Sequence, residues 1–130
     1  MAAANDEYVR VAEFRSALRR FLRQAETVAR RADLTPQRYL LLLMVKGAPD
    51  GSETSTVTAL SERLQLAQST VTELVGRAEA AGLLVRRPSG DDARVVYVSL
   101  TEEGEHRLQR AFTTLEAERE SLREAILSLD

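Results

Sequence analysis

The stretch Thr56-Val-Thr-Ala-Leu-Ser-Glu-Arg-Leu-Gln-Leu-Ala-Gln-Ser-Thr-Val-Thr-Glu-Leu-Val-Gly-Arg77 sets how this chain folds. Two short apolar patterns run through it. Val57, Leu60 and Leu64 recur at helical spacing behind Thr56, a residue suited to cap a helix. Val71, Leu74, Val75 and Ala78 do the same over about 68–81. Only Gln65, Leu66 and Ala67 separate the two, which predicts a tight turn with one apolar residue to pin it. Helices this short are marginal alone and must share a core. Gly82 stops the second, as glycine does just past a helix end. The period then changes. Leu83-Leu-Val-Arg-Arg87 and Arg94-Val-Val-Tyr-Val-Ser-Leu100 are strand-type runs, the second with Val96, Val98 and Leu100 on one face. The six residues from Pro88 to Ala93 between them predict a hairpin tip. A helix–turn–helix followed at once by a hairpin is the winged-helix arrangement, with the hairpin as the wing.

Outward from this centre the chain reads as helix. Residues 8–31 carry Val11, Phe14, Leu18, Phe21, Leu22, Ala25, Val28 and Ala29 on one helical face, uninterrupted by proline or glycine. Thr35 and Pro36 suit the cap and first position of a second helix, about 36–47. Its run Tyr39-Leu-Leu-Leu-Leu-Met-Val45 is apolar almost all round, which places it at the centre of a domain. Gly47-Ala-Pro-Asp-Gly-Ser52 ends it with a cluster of turn formers. Downstream, Thr101 caps a last helix of about 102–128. Its Leu108, Phe112, Leu115, Leu122, Ile126 and Leu129 form a heptad-like stripe with Arg119 in the gap. The expected fold is mainly α with a small β-hairpin wing. It is one unit over 1–130, with a winged helix–turn–helix part over 34–104 and flanking helices over 8–31 and 105–129.

Composition narrows the chemistry. The 130 residues suit one domain and contain no cysteine, which removes disulfides, thiolate metal sites and thiol redox switching. The single histidine, His106, leaves little room for an imidazole metal cluster or a histidine-based triad. No metal and no cofactor are expected. Adjacent acids such as Asp91 and Asp92 do not face one cleft as an acid–base pair must, so an enzyme is not expected. No apolar run approaches the roughly 20 residues needed to cross a bilayer, and Met1–Glu7 lacks the marks of a signal peptide. These features point to a cytoplasmic protein without membrane contact. The net charge of −2 is an average over unlike parts: +3 over 1–31, −1 over 32–56, 0 over 57–100 and −4 over 101–130. A chain balanced in this way predicts weak non-specific binding to nucleic acid rather than none.

The central stretch resembles the helix–turn–helix of MarR-type transcriptional regulators. So do Leu34-Thr-Pro-Gln-Arg-Tyr-Leu-Leu41, Ala81-Gly-Leu-Leu-Val-Arg-Arg-Pro88, the D-x-R run Asp92-Ala-Arg94 and the L-T-x-x-G run ending at Gly104. The resemblance spans about 34–104. It implies sequence-specific binding of double-stranded DNA by a repressor, with Asp92 holding the arginine of the wing. Two places depart from the family pattern. Ala67 and Gln68 stand where it commonly has a small polar cap and proline, so Ser69 becomes the expected cap. Glu73 stands where the family often has arginine. The C-terminal stretch is also short beside the usual two terminal helices.

With Val71, Leu74, Val75 and Ala78 inward, the opposite face of the 68–81 helix carries Gln68, Ser69, Thr70, Thr72, Glu73, Gly76 and Arg77. Gln68 can pair bidentately with adenine, Glu73 can accept from a cytosine amino group, and Arg77 can reach guanine or phosphate. Ser69 and Thr70 suit phosphate near the helix start. Arg94 on the wing suits the negative minor groove. Arg86 and Arg87 point to opposite sides of a strand, so at most one, Arg87, is expected on phosphate; Arg63 is a weaker candidate. One such helix spans few base pairs, so a homodimer on a palindromic, inverted-repeat operator is expected, its two helices about 34 Å apart. The resemblance further implies a small aromatic or anionic effector in a cleft near the first helix and the 36–47 helix. Arg15, Arg19, Tyr39 and Met44 belong to that neighbourhood, with no ligand residue singled out. The alternative is a winged-helix module for protein contact without specific DNA binding.

Overall fold

A computed structural model describes residues 4–92 and 94–130. In chain order the elements are α1 (Asn5–Arg31), α2 (Pro36–Lys46), β1 (Thr54–Ser55), α3 (Val57–Leu64), α4 (Gln68–Ala80), β2 (Leu84–Pro88), β3 (Val96–Leu100), α5 (Glu102–Thr114) and α6 (Glu116–Leu127). The helix–turn–helix, α3 and α4, is followed at once by the wing, β2 and β3, as the periodicity predicts.

The helix starts follow from short-range chemistry. Thr35, Thr56 and Thr101 each cap a helix, accepting from the backbone N–H groups of Arg38, Ala59 and Gly104 respectively. α4 is the exception. It begins at Gln68 with Ala67 in the cap position and no side-chain acceptor, so Ser69 lies inside the helix rather than capping it. The turn before α4 is set by backbone, with Gln65 left-handed at φ 58° and the Leu66 N–H bonded to Ser61 O at 3.2 Å. Leu66 itself is exposed and pins little.

Helix α2 is central. Leu41, Leu42 and Val45 are fully buried within a core that also holds Leu60, Val71, Val75, Leu83, Leu84, Val98 and Leu115. Burying each such side chain contributes roughly 1.5–3 kcal/mol before entropy is counted. Arg63 closes the end of α2, donating to Met44 O at 2.8 Å and Gly47 O at 3.3 Å. The weaker phosphate candidate of the sequence thus serves as a cap on the carbonyl end of α2.

The sheet is larger than a hairpin. β1 adds a third antiparallel strand in the order β1-β3-β2, with Thr54 opposite Ser99 and Ser55 opposite Val98. β2 pairs with β3 from Leu84 opposite Leu100 to Pro88 opposite Val96. The Ser89 N–H donates to Val95 O at 2.8 Å and closes the base of the wing loop. The loop therefore runs over 89–95 rather than 88–93; Ala93 lies outside the described residues.

The expected last helix is two helices, broken at Leu115 without proline or glycine. Thr113 and Thr114 donate back to Gln109 O and Arg110 O, the i−4 bonding that bends helices. Arg119 then folds back, donating to Phe112 O at 2.7 Å with its guanidinium 3.8 Å from the Phe112 ring centre. The heptad-like stripe is split accordingly. Leu108 and Leu115 enter the core, whereas Phe112 and Ile126 remain exposed.

The start of α5 locks the wing to α4. Thr101 Oγ1 donates to Gly82 O at 2.6 Å, and the Thr101 N–H bonds Leu83 O at 3.0 Å. Gly104 sits so close beneath this strand entry that a Cβ there would lie 2.2 Å from Leu83 O. The spacing of Thr101 and Gly104 thus answers a packing demand.

Candidate nucleic-acid interface

Four buried side chains, Val71, Leu74, Val75 and Ala78, fix the rotation of α4. That rotation leaves Gln68, Ser69, Thr70, Thr72, Glu73 and Arg77 all exposed. The flank toward the wing is closely matched. Arg86 of β2 reaches across it, its Nε 3.3 Å from Glu79 Oε1, with a terminal nitrogen 3.4 Å from where a Cβ on Gly76 would be. Glycine inside a helix costs roughly 1 kcal/mol relative to alanine, and here it leaves a close seat for the Arg86 guanidinium. Gln68 at the other end of α4 is 3.4 Å from Thr58 Oγ1 of α3.

Arg94 stands at the wing tip with its side chain 91 % exposed. Asp92 orients it: the Arg94 backbone N–H donates to Asp92 Oδ1 at 3.0 Å, and the guanidinium reaches both carboxylate oxygens at 3.3 and 3.4 Å. The backbone donor, then the side-chain donor, hold the Asp92 carboxyl below its ordinary range. Between α3, α4 and the wing lies a groove of about 500 Å³ whose walls include Thr56, Thr58, Thr72, Arg86 and Arg94. Arg87, one residue beyond Arg86, lies exposed in β2 opposite Tyr97.

Sequence reading therefore located the open face of α4 and the wing arginine, and the structure puts Thr72 and Arg94 on one groove. It missed the carboxylate pairings of Arg86 and Arg77. The second had a signal in sequence, because Glu73 and Arg77 are four apart on one helix and form an ion pair. The first had none, since Glu79 and Arg86 meet only when strand and helix are folded together.

A second surface lies on α1 and α6. α1 packs on α6 with a cleft of about 590 Å³ between them, lined by Ala17, Phe21, Leu122 and Ala125 and by polar groups such as Glu13, Arg20, Glu118 and Glu124. Val9, Val11, Leu22, Ile126 and Leu127 are exposed on these two helices. An apolar cavity of about 290 Å³ lies where α1, α2 and the α5–α6 region meet, walled by Phe21, Leu22, Tyr39, Leu43, Phe112 and Arg119. Of the four residues placed near such a cleft from sequence, Tyr39 lines it; Arg15, Arg19 and Met44 do not. Burial raises the Tyr39 hydroxyl pKa, against the opposing charge of Arg119. Among the described residues no helix is long and apolar enough to cross a membrane, and no three His, Cys, Asp or Glu side chains cluster for a metal.

Residues 32–95 match the sequence model of the MarR family. The organic hydroperoxide resistance transcriptional regulator of Bacillus subtilis is 35% identical over 86 residues, which is 66% of this chain and 56% of that protein. The chain thus spans little more than half the length of this curated relative. The crystal structure of the transcriptional regulator Tm0710 from Thermotoga maritima is similar with a TM-score of 0.67 at 27% identity, covering 95% of this chain and 80% of that one. A MarR variant from E. coli, solved in complex with operator DNA, is similar with a TM-score of 0.68 at 19% identity, covering 83% and 75%.

Proposed function

We propose that the chain is a transcriptional regulator of the MarR family rather than an enzyme, and that it represses transcription by binding an inverted-repeat operator as a homodimer. Residues 34–104 are the DNA-binding part, and 8–31 and 105–129 supply the dimer. The observation that carries this reading is the groove shared by α4 and the wing, with Thr72 on one wall and Arg94 on another. Gln68, Ser69, Thr70, Thr72, Glu73 and Arg77 meet the major groove, Arg94 enters the minor groove, Asp92 holds Arg94 in place, and Arg87 meets phosphate. The similar E. coli MarR variant is bound to operator DNA, which supports the same partner here.

The exposed apolar side chains of α1 and α6 support a second copy as the covering surface. The cavity beside Tyr39, mostly apolar with the Arg119 guanidinium and the Glu26 carboxylate on its wall, suits a small aromatic effector that shifts the angle between dimer and DNA-binding parts. Selection of bound duplex from a random pool tests the regulator reading. Enrichment of a palindrome is expected; enrichment of nothing, with capture of a protein instead, turns the reading to an interaction module. Light scattering tests the dimer, since a particle of 14.4 kDa at micromolar concentration would end it.

A further inference from the structure

Three arginines on the proposed DNA-facing surface are each tied to a carboxylate: Arg77 to Glu73, Arg86 to Glu79 and Arg94 to Asp92. The first pair differs from the others because both partners sit on the open face of α4 itself. We propose that Glu73 and Arg77 act as one reading unit that selects a C·G base pair in each half-site of the operator. This refinement rests on the regulator reading above.

The geometry supplies the reason. Helical side chains lean toward the helix N-terminus, and the bond to Glu73 draws the Arg77 guanidinium one turn that way. The N-terminal half is the part of a recognition helix that meets base edges. There the pair presents a carboxylate, which only accepts, beside a guanidinium with several N–H donors left free. A C·G pair offers the complement in the major groove, the cytosine amino donor next to guanine O6 and N7. An A·T pair also offers an amino donor, adenine N6, but its two acceptors, adenine N7 and thymine O4, flank that group instead of lying side by side and thymine adds a methyl group, so the guanidinium fork is half satisfied. Released from Glu73, Arg77 would swing to phosphate and bind without regard to sequence. The carboxylate also repels phosphate, so it suppresses the sequence-blind mode while it reads the base.

The test is selection from a random duplex pool at fixed salt with the wild-type chain, Glu73→Gln and Arg77→Lys, followed by titration of each against the selected site and a random duplex. Both side chains are more than half exposed, so the variants keep the fold. The wild type is expected to enrich a palindrome with one invariant C·G pair per half-site. Both variants should lose about tenfold discrimination at that pair alone, the scale of one bidentate base contact. Glu73→Gln should also bind random duplex about threefold or more tightly, as removal of one phosphate-repelling charge requires. A palindrome without that C·G constraint, or a Glu73→Gln protein with unchanged preferences and unchanged random-duplex affinity, overturns the inference while leaving the regulator reading intact. Failure of the wild type to enrich any sequence overturns both.

Discussion

Helices α4 and α6 are nearly equal in length, at 13 and 12 residues, yet they meet water in opposite ways. α4 sends Val71, Leu74, Val75 and Ala78 into the core and turns hydroxyls, amide and charge outward. α6 buries no residue fully, leans on α1 along one side, and leaves Ile126 47% and Leu127 64% exposed. A polar open face is stable in solvent and free to meet a ligand. An apolar one forgoes roughly 1.5–3 kcal/mol for each large side chain left uncovered. The half proposed to read DNA is thus completed within one chain, whereas the α1–α6 end leaves apolar surface for the proposed second copy to cover.

Replacing both Ile126 and Leu127 by serine should have the largest effect. Light scattering should show a change from twice 14.4 kDa to 14.4 kDa, with operator affinity lowered at least about a hundredfold, because one half-site contributes few contacts. Helix content by circular dichroism should hold, since neither side chain serves the core. A dimer that survives would remove α6 from the interface. Val75→Ser makes the contrast on α4: there the chain should unfold rather than dissociate.

Gly104→Ala asks how firmly α4 and the wing are locked to α5. A Cβ forced against Leu83 O should cost about 1–3 kcal/mol, read as a Tm several degrees lower. An unchanged Tm would show that the strand entry yields freely.

On the reading side, Arg94→Ala should weaken operator binding about tenfold and flatten its salt dependence, because a charge leaves the minor groove. Fluorescence anisotropy at two salt concentrations measures both. Identical affinities would remove the wing from the interface and leave α4 alone.

The smallest effect belongs to Lys46, which ties the end of α2 to Glu105 at 2.8 Å and Glu53 at 3.1 Å. Hydrogen bonds to Glu105, then to Glu53, raise its pKa above the ordinary lysine value of 10.5. The folded state therefore holds this proton more tightly than the unfolded chain. The stabilisation is fully present below pH 10.5 and is lost as pH rises through the raised folded value. Lys46→Met should lower Tm by no more than about 2 °C at about pH 8, as befits an exposed pair, and the gap should close as pH rises through the raised folded value. A gap that persists there would show that Lys46 acts through its aliphatic stem.

Most helix boundaries were legible because each depends on neighbours within about one turn. Thr35, Thr56 and Thr101 cap, Gly82 at φ 77° terminates, and the apolar spacing of α4 alone sets which side chains face out. β1 was not legible, since two residues carry no period and Thr54–Ser55 becomes a strand only when β3 lies beside it. The start of α4 near Gln68 was legible, but its cap falls at Ala67 and not at the expected Ser69, because side-chain capping did not decide it; the left-handed Gln65 and the burial of Val71 did. The break at Leu115 was hidden for a similar reason, as it depends on Arg119 returning to Phe112 across the bend.

Periodicity and caps act over a few residues, so the chain's own order of amino acids was enough to specify helices α1 to α4, the hairpin of β2 and β3, the rotation of α4 and the residues it leaves exposed. Which arginines find a partner on another element was settled only on folding. Arg63 closes α2, Arg86 is held by Glu79 across two elements, and Arg87 beside it stays exposed in β2. Where the partner lies on another element, it depends on which carboxylates and carbonyls the folded chain brings within hydrogen-bonding reach, and no local pattern in the sequence encodes that distance.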